Sequence, residues 1–356
     1  MKSLFSTLSL ALIVTMTMVP PAFSDAGFQD VLDTPALKSA LVSRTLYNGV
    51  TLAGKRLVGV GQRGHIVYSD DQGKSWIQSS VPVSSNLTAV CFPTAKTGWA
   101  VGHDGVVLKS LNGGVTWVKQ LDGYIAGRVM EAHYKEHPPR CLPERRASFL
   151  EEVKRFSDQA PDISFLDVWF DNETTGFIIG AFNIIFRTID GGKNWEPWFD
   201  RTENKKFNHL YGIRLIGQDI FICGEQGLVL KLDRHAGFFR AINTPYNGTF
   251  FGINGKPGLL IAYGLRGNVF RSTNGGSSWQ KVETGIPEGL TGSAVTEKGL
   301  IVLVTQAGYL LVSNDGVMSF RKIMGKRPFP ASAIVLLDRE TLVLAGLYGI
   351  HKQSMK

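Results

Sequence analysis

Cysteine is scarce in this chain: three residues in 356, too few and odd in number for a disulfide framework. Cys91 and Cys223 sit in apolar strand patterns of different repeats and read as small core residues, while Cys141 reads as a free thiol. Basic runs are missing as well. The formal net charge is +8, or +7 once Lys2 is discounted, yet Lys and Arg are dispersed and never interleave with aromatics. That pattern argues against nucleic acid and leaves anionic partners, such as membrane surfaces or acidic loops. No nucleophile elbow, phosphate-binding loop or His/Cys metal set appears, so neither cofactor nor metal is expected. His133, His137 and Cys141 are spaced by four, but Pro138-Pro139 breaks any helix that would align them.

Long apolar runs are limited to one. Leu4 to Val19 follows Lys2 and precedes Ala22-Phe23-Ser24, which reads as a secretory signal over residues 1–24 with a small-residue cleavage site. The run is short for a membrane span and ends at Pro20-Pro21. No Cys follows it, so a lipid anchor there is not expected. The mature chain is expected in an extracytoplasmic space, a bacterial periplasm above all.

What is abundant is a repeated turn. Gly61-Gln62-Arg63-Gly64 is followed by Ser69-Asp70-Asp71-Gln72-Gly73-Lys74-Ser75-Trp76, and the pairing recurs. The step from the first turn residue to the closing aromatic is fifteen in each case: Gly61 to Trp76, Gly102 to Trp117, Gly180 to Trp195, Gly224 to Phe239, Gly264 to Trp279 and Thr305 to Phe320. A seventh turn, Gly346-Leu347-Tyr348-Gly349, follows. A period of about 40 residues marks radial or solenoid folds. Four short strands per repeat, alternating apolar and polar and punctuated by Gly, Asn and Asp, predict an all-β, seven-bladed β-propeller over residues 28–356. The last blade, Ala331 to His351, has three strands, and Phe28–Asp33 is the expected donor of its fourth. A ring so closed has no free edge, which makes a monomer the default.

The second element of each repeat follows Ser/Thr-x-Asp-x-Gly-x-Ser/Thr-Trp. Asp71, Asn112, Asp190, Asn274 and Asp315 hold its polar position, Trp76, Trp117, Trp195 and Trp279 its aromatic one, and the fourth repeat has lost it to Asp233-Arg234-His235-Ala236-Gly237. An Asp or Asn there bonds backbone N–H groups further along the turn, and Gly supplies positive φ. The Trp is expected between neighbouring blades. The element resembles the Asp-box, or BNR, repeat, whose carboxylate is structural rather than catalytic.

Between the second and third repeats the spacing nearly doubles, Trp117 to Trp195 being 78 residues. The excess, residues 121–161, predicts a helical insertion: a first segment from Gly127 to His137, then a second opened by the capping box Ser148-Phe149-Leu150-Glu151, with Phe149, Val153 and Phe156 on one face. Connections between blades share a face with the Gly-x-x-Gly turns. The hairpin is therefore expected above Arg63, Asp104, Asn183, Gln226, Arg266 and Tyr348.

Asp-boxes also occur in sialidases and xyloglucan-cleaving propellers, so a glycosidase is the alternative reading. The Phe/Tyr-Arg-Ile-Pro signature is absent, and Asp104 and Glu225, in turns two blades apart, would stand roughly 15–20 Å from each other against the ~5–9.5 Å that glycoside hydrolysis needs. No catalytic residue is expected. Glycan binding without cleavage would call for aromatics around the channel, for which Tyr348 and Tyr124 are the candidates.

The combination of Gly-x-x-Gly, a short strand carrying Arg or Lys, and the box is clearest in Gly264-Leu265-Arg266-Gly267-Asn268-Val269-Phe270-Arg271 through Trp279, and returns in Ile185-Phe186-Arg187 through Trp195. From about Phe28 to His351 the chain resembles the photosystem II assembly and stability factor family of seven-bladed propellers. The resemblance implies a non-catalytic factor of the periplasm, or of the thylakoid lumen in a phototroph, holding an integral membrane protein or its extracytoplasmic loops during assembly. It implies no small-molecule substrate. In photosynthetic members an arginine-lined surface is thought to bind. Arg63, Arg187, Arg266 and Arg271 match the shared motif, and with Tyr348 they are the candidate partner-binding residues. The helical insertion and mixed turn charges depart from the photosynthetic pattern and suggest a bacterial branch with another envelope client.

Overall fold

The computed structural model describes residues 29–141, 143–325 and 328–355. The proposed signal, 1–24, lies outside them. Seven antiparallel sheets follow one another around a ring. Blade 1 comprises Tyr47–Ala53, Arg56–Gly61, Ile66–Ser69 and Ile77–Gln78. Blade 2 runs from Leu87–Cys91 to Val118–Leu121, blade 3 from Phe165–Phe170 to Glu196–Pro197, and blade 4 from Leu210–Ile216 to Phe238–Ile242. Blade 5 runs from Phe250–Lys256 to Gln280–Val282, and blade 6 from Leu290–Val295 to Arg321–Met324. Blade 7 has Ala331–Leu336, Thr341–Gly346 and Gly349–Ser354.

Each second strand is buried on both faces because blades pack on either side of it. Ile301–Thr305 has all five residues buried, which explains the unbroken apolar run where an edge strand would alternate. The core is accordingly a set of interblade clusters. Trp117 packs with Val58 and Val60 of blade 1, and Trp195 with Trp99 and Val101 of blade 2. Trp279 packs with Phe221 and Val229 of blade 4, and Trp76 with Val343 and Ala345 of blade 7. Every box tryptophan thus lies against the preceding blade.

The ring closes differently from the sequence expectation. Residues 29–33 form a turn, not a strand, and Phe28 lies outside the described residues. Leu32 is buried among blade 1 and blade 2 side chains, and Lys119 Nζ donates to its carbonyl at 3.0 Å. Burial of that one leucine at the blade 1–2 junction holds the segment away from the last blade, whose described sheet keeps three strands. Closure comes instead from packing of Val343 and Ala345 against Tyr47, Val50 and Leu57.

The insertion folds as two helices, α1 (Gly123–Glu136) and α2 (Arg146–Asp158). Helix α1 begins four residues before the expected start because Asp122 caps it, accepting the Ile125 N–H at 3.0 Å. The capping box at Ser148 does not form. Helix α2 continues from a 3₁₀ turn over Pro143–Arg145, which places Ser148 inside its first turn, where its Oγ donates to the Arg145 carbonyl. Phe149 and Val153 are buried and Phe156 packs beside them, as the apolar stripe predicts. Tyr134 Oη donates to Asp200 at 2.8 Å and Arg145 reaches the Lys205 carbonyl, so the hairpin is pinned to the link between blades 3 and 4. No helix among the described residues is long and apolar enough to cross a membrane.

Candidate functional site

The Gly-x-x-Gly turns are built from a backbone conformation that few residues adopt. Gly61 cannot carry a side chain, since a Cβ there would sit 2.1 Å from the Leu46 carbonyl oxygen. The third turn residue is left-handed: Arg63 at φ 54°, Asp104 at 58°, Phe182 at 52°, Gln226 at 53° and Arg266 at 55°. Such non-glycine conformations cost on the order of 1 kcal/mol each and persist where surroundings hold them. Here they aim a side chain outward, and Arg63, Phe182 and Arg266 are exposed. Tyr348 is 64% exposed, with its ring edge-on to Phe329 at 6.5 Å.

Blade 3 corrects the sequence reading. Asn183 is buried, its Nδ2 donating to the Phe199 carbonyl and its Oδ1 accepting from Thr202 and Asn204. The residue presented is Phe182, which the sequence reading passed over. Its ring lies 4.5 Å from that of His209, and Arg155 of α2 stacks on it at 5.2 Å. From there rings continue inward, His209 to Tyr211 at 6.3 Å and Tyr211 to Phe251 at 5.5 Å. Tyr211 and Phe251 line a central cavity of about 170 Å³ among the inner strands. Asp167 and Arg214 form an ion pair there, Asp167 also accepting the Ile213 N–H at 2.8 Å. The Arg214 side chain is 44% accessible, but to the channel rather than to bulk solvent. Tyr124, the other aromatic candidate, bonds Asp30 instead.

The other two arginine candidates are not on the turn face. Arg187 lies on the third strand of blade 3, its guanidinium 5.1 Å from the Trp198 ring and 5.9 Å from Phe177. Arg271 occupies the same place in blade 5 and donates to the Met318 sulfur of blade 6. The five residues therefore divide into a turn-face set, Arg63, Arg266 and Tyr348, and a rim set, Arg187 and Arg271.

The boxes lie on the opposite turns. Asp71 Oδ1 accepts from Ser69 Oγ, Lys74 N–H and Ser75 N–H, and Oδ2 from Ser75 Oγ at 2.6 Å. The Ser75 hydroxyl first, then the Ser75 N–H, hold its carboxyl well below the usual carboxylate range. Asp315 is depressed in the same way by Ser319 and Ser313. Asp190 takes hydrogen bonds from Asn194 and Thr188. Asn112 and Asn274 accept the same backbone N–H and donate to Thr116 and Ser278 respectively. A carboxylate committed to four donors and replaceable by an amide has no spare proton chemistry. In the insertion, His133 stacks on His137 at 4.7 Å and Cys141 packs on the core, so those three groups are engaged separately.

Together these features define an Asp-box β-propeller with arginines and aromatics exposed on its turn face. A protein-family model described as "Photosynthesis system II assembly factor YCF48" matches residues 152–239. Photosystem II assembly lipoprotein Ycf48 from Synechococcus sp. (strain CC9902) is 31% identical over 120 residues, covering 32% of this chain and 35% of its own length. Photosystem II stability/assembly factor HCF136, chloroplastic, from Oryza sativa subsp. japonica is 22% identical over 212 residues, covering 54% and 47%. The chain thus matches between about a third and a half of the length of these relatives. A structure of YCF48 bound to a D1 peptide is similar in fold, with TM-score 0.65, 16% identity, and coverage of 92% of this chain and 99% of that one. YCF48 from Cyanidioschyzon merolae gives 0.64 at 14% identity, covering 90% and 98%. These similarities support a photosystem II assembly factor-like propeller.

Proposed function

We propose that this chain is a non-catalytic, extracytoplasmic assembly factor, acting as a monomer, that holds a segment of an integral membrane protein on its turn face. The observation that carries the reading is the turn face itself. Arg63, Phe182 and Arg266 are exposed from left-handed turn positions. Exposed guanidinium groups and rings on one face suit an extended peptide loop bearing acidic and apolar side chains. A YCF48 of similar fold binds a D1 peptide, and relatives described as photosystem II assembly factors, one of them a lipoprotein, support a peptide-holding role beside a membrane. Arg187 and Arg271 are proposed to extend the contact onto the rim. The periplasm is the proposed compartment, or the thylakoid lumen in a phototrophic host.

The second reading, glycan binding, is favoured by the aromatic series Phe182, His209, Tyr211 and Phe251 leading into the channel. Hydrolysis is not favoured, since the box carboxylates are committed to their turns. Affinity capture of the tagged, exported protein from detergent-solubilised envelopes tests the first reading. It expects one integral membrane protein, lost when Arg63 and Arg266 become Glu. Recovery of none under gentle crosslinking overturns it and favours a glycan array as the next screen.

A further inference from the structure

The repeat breaks at one blade, and a cavity opens there. Arg234 stands at the place in the fourth repeat that Asp71, Asn112, Asp190, Asn274 and Asp315 hold in the others, ten residues after the first turn residue. The Ser/Thr of the box is replaced by Leu232, which is buried. The turn is capped one residue earlier instead: Asp233 Oδ1 accepts the N–H groups of His235 and Ala236 at 3.1 and 2.9 Å. Arg234 is thereby released from the turn, a reversal of charge at a position whose usual carboxylate is fully committed.

The released side chain lines a cavity of about 260 Å³ between blades 3 and 4, together with Arg140 from the insertion, Arg187 and Arg201. Arg187 and Arg201 flank the Trp198 indole at 5.1 and 4.7 Å. Their Nε atoms are buried without a hydrogen-bond partner among the described residues, which is costly for a charged donor. Arg201 is offset by Glu196, which accepts its Nη2 at 2.6 Å, and Asp171 is the single carboxylate in the lining. Four arginines against one lining carboxylate and Glu196 leave the cavity with an excess of positive charge, which attracts an anion. Flat forked donors also match the oxygens of carboxylate and phosphate.

We propose that this cavity is an oxyanion-binding site, created where the Asp-box was lost, and that it takes clustered carboxylates borne by an acidic peptide or by a free small anion. Its lining includes the blade 4 box turn and Arg187 of the proposed rim contact but neither Arg63 nor Arg266, so it is tested separately from the turn-face reading. Calorimetric titration of the full-length protein with a blocked hexa-aspartate peptide and with citrate tests it. Saturable binding of either probe is expected, weakening steeply with salt. Arg234→Asp, which returns the residue type of the other boxes, is expected to lower affinity about tenfold or more with the melting temperature kept. Arg201→Gln serves as a second variant. The peptide binding more tightly than citrate assigns a peptide source, and the reverse assigns a free anion. Absence of saturable binding by both probes, or equal binding by the folded Arg234→Asp and Arg201→Gln variants, overturns the proposal.

Discussion

The side-chain oxygen of Asn86 accepts the backbone N–H of Arg63 at 2.8 Å. A residue at the start of blade 2 therefore fixes the strained turn of blade 1 that projects the guanidinium. Asn86→Ala removes this bond and is expected to destabilise by about 1 kcal/mol, with weaker client capture. Arg63→Gly relieves the left-handed strain, so it raises the melting temperature slightly while abolishing Arg63's contribution to capture. Thermal unfolding and capture on the two variants separate stability from binding.

Asp71 and Asp315 contribute to the acid sensitivity of the fold. Their folded-state values are depressed below the unfolded ones, chiefly by the Ser75 and Ser319 hydroxyls. Stability from such groups is full above the unfolded value of about 4 and is lost as pH falls through the folded value. The urea midpoint is expected to decline below about pH 4 and to decline less in the Asp71→Asn, Asp315→Asn double variant. Asn112 and Asn274 already show that an amide serves in this turn. Asp71→Ala lowers the melting temperature where Asp71→Asn does not.

In the channel, Asp167 and Arg214 form a pair whose carboxylate is buried. Asp167→Ala removes the acceptor of the Ile213 N–H, leaves the guanidinium with the Ile213 carbonyl in place of a carboxylate, and is expected to cost about 3 kcal/mol. Adding Arg214→Met recovers a large part of that loss, because an apolar pair of similar volume avoids the desolvation cost. Urea titrations of the two single variants and the double variant read the coupling directly.

Met130 is fully buried between α1 and the blade 2–3 core. Met130→Ala is expected to cost about 2–5 kcal/mol and to expose the 143–158 region to limited proteolysis before the ring itself. Simultaneous loss of hairpin and ring would show that the insertion is part of one cooperative unit.

Much of this was legible in the sequence because the boxes are local: Ser69, Asp71, Gly73 and Ser75 bond one another within one turn, so the spacing carries the fold. Blade number and the helical insertion followed from the same period. What escaped depended on neighbours distant in sequence. Leu32 found a blade 1–2 pocket that no pattern announces, and the Ser148 box lost to a helix start set by the preceding turn. Phe182 was hidden because blade 3 closes its turn with Asn183, itself left-handed, where the other turns have Gly, so the exposed position was read one residue too late. The arginine cavity needed blade 3, blade 4 and the insertion in place at once.

The central claim is that the turn face holds the client. A photoreactive amino acid at position 266, compared with one at the box position 315, tests it in intact cells exporting the protein. The account predicts an adduct with one integral membrane polypeptide from position 266 and none from 315. Equal adducts from both positions, or an adduct from 315 alone, would contradict it.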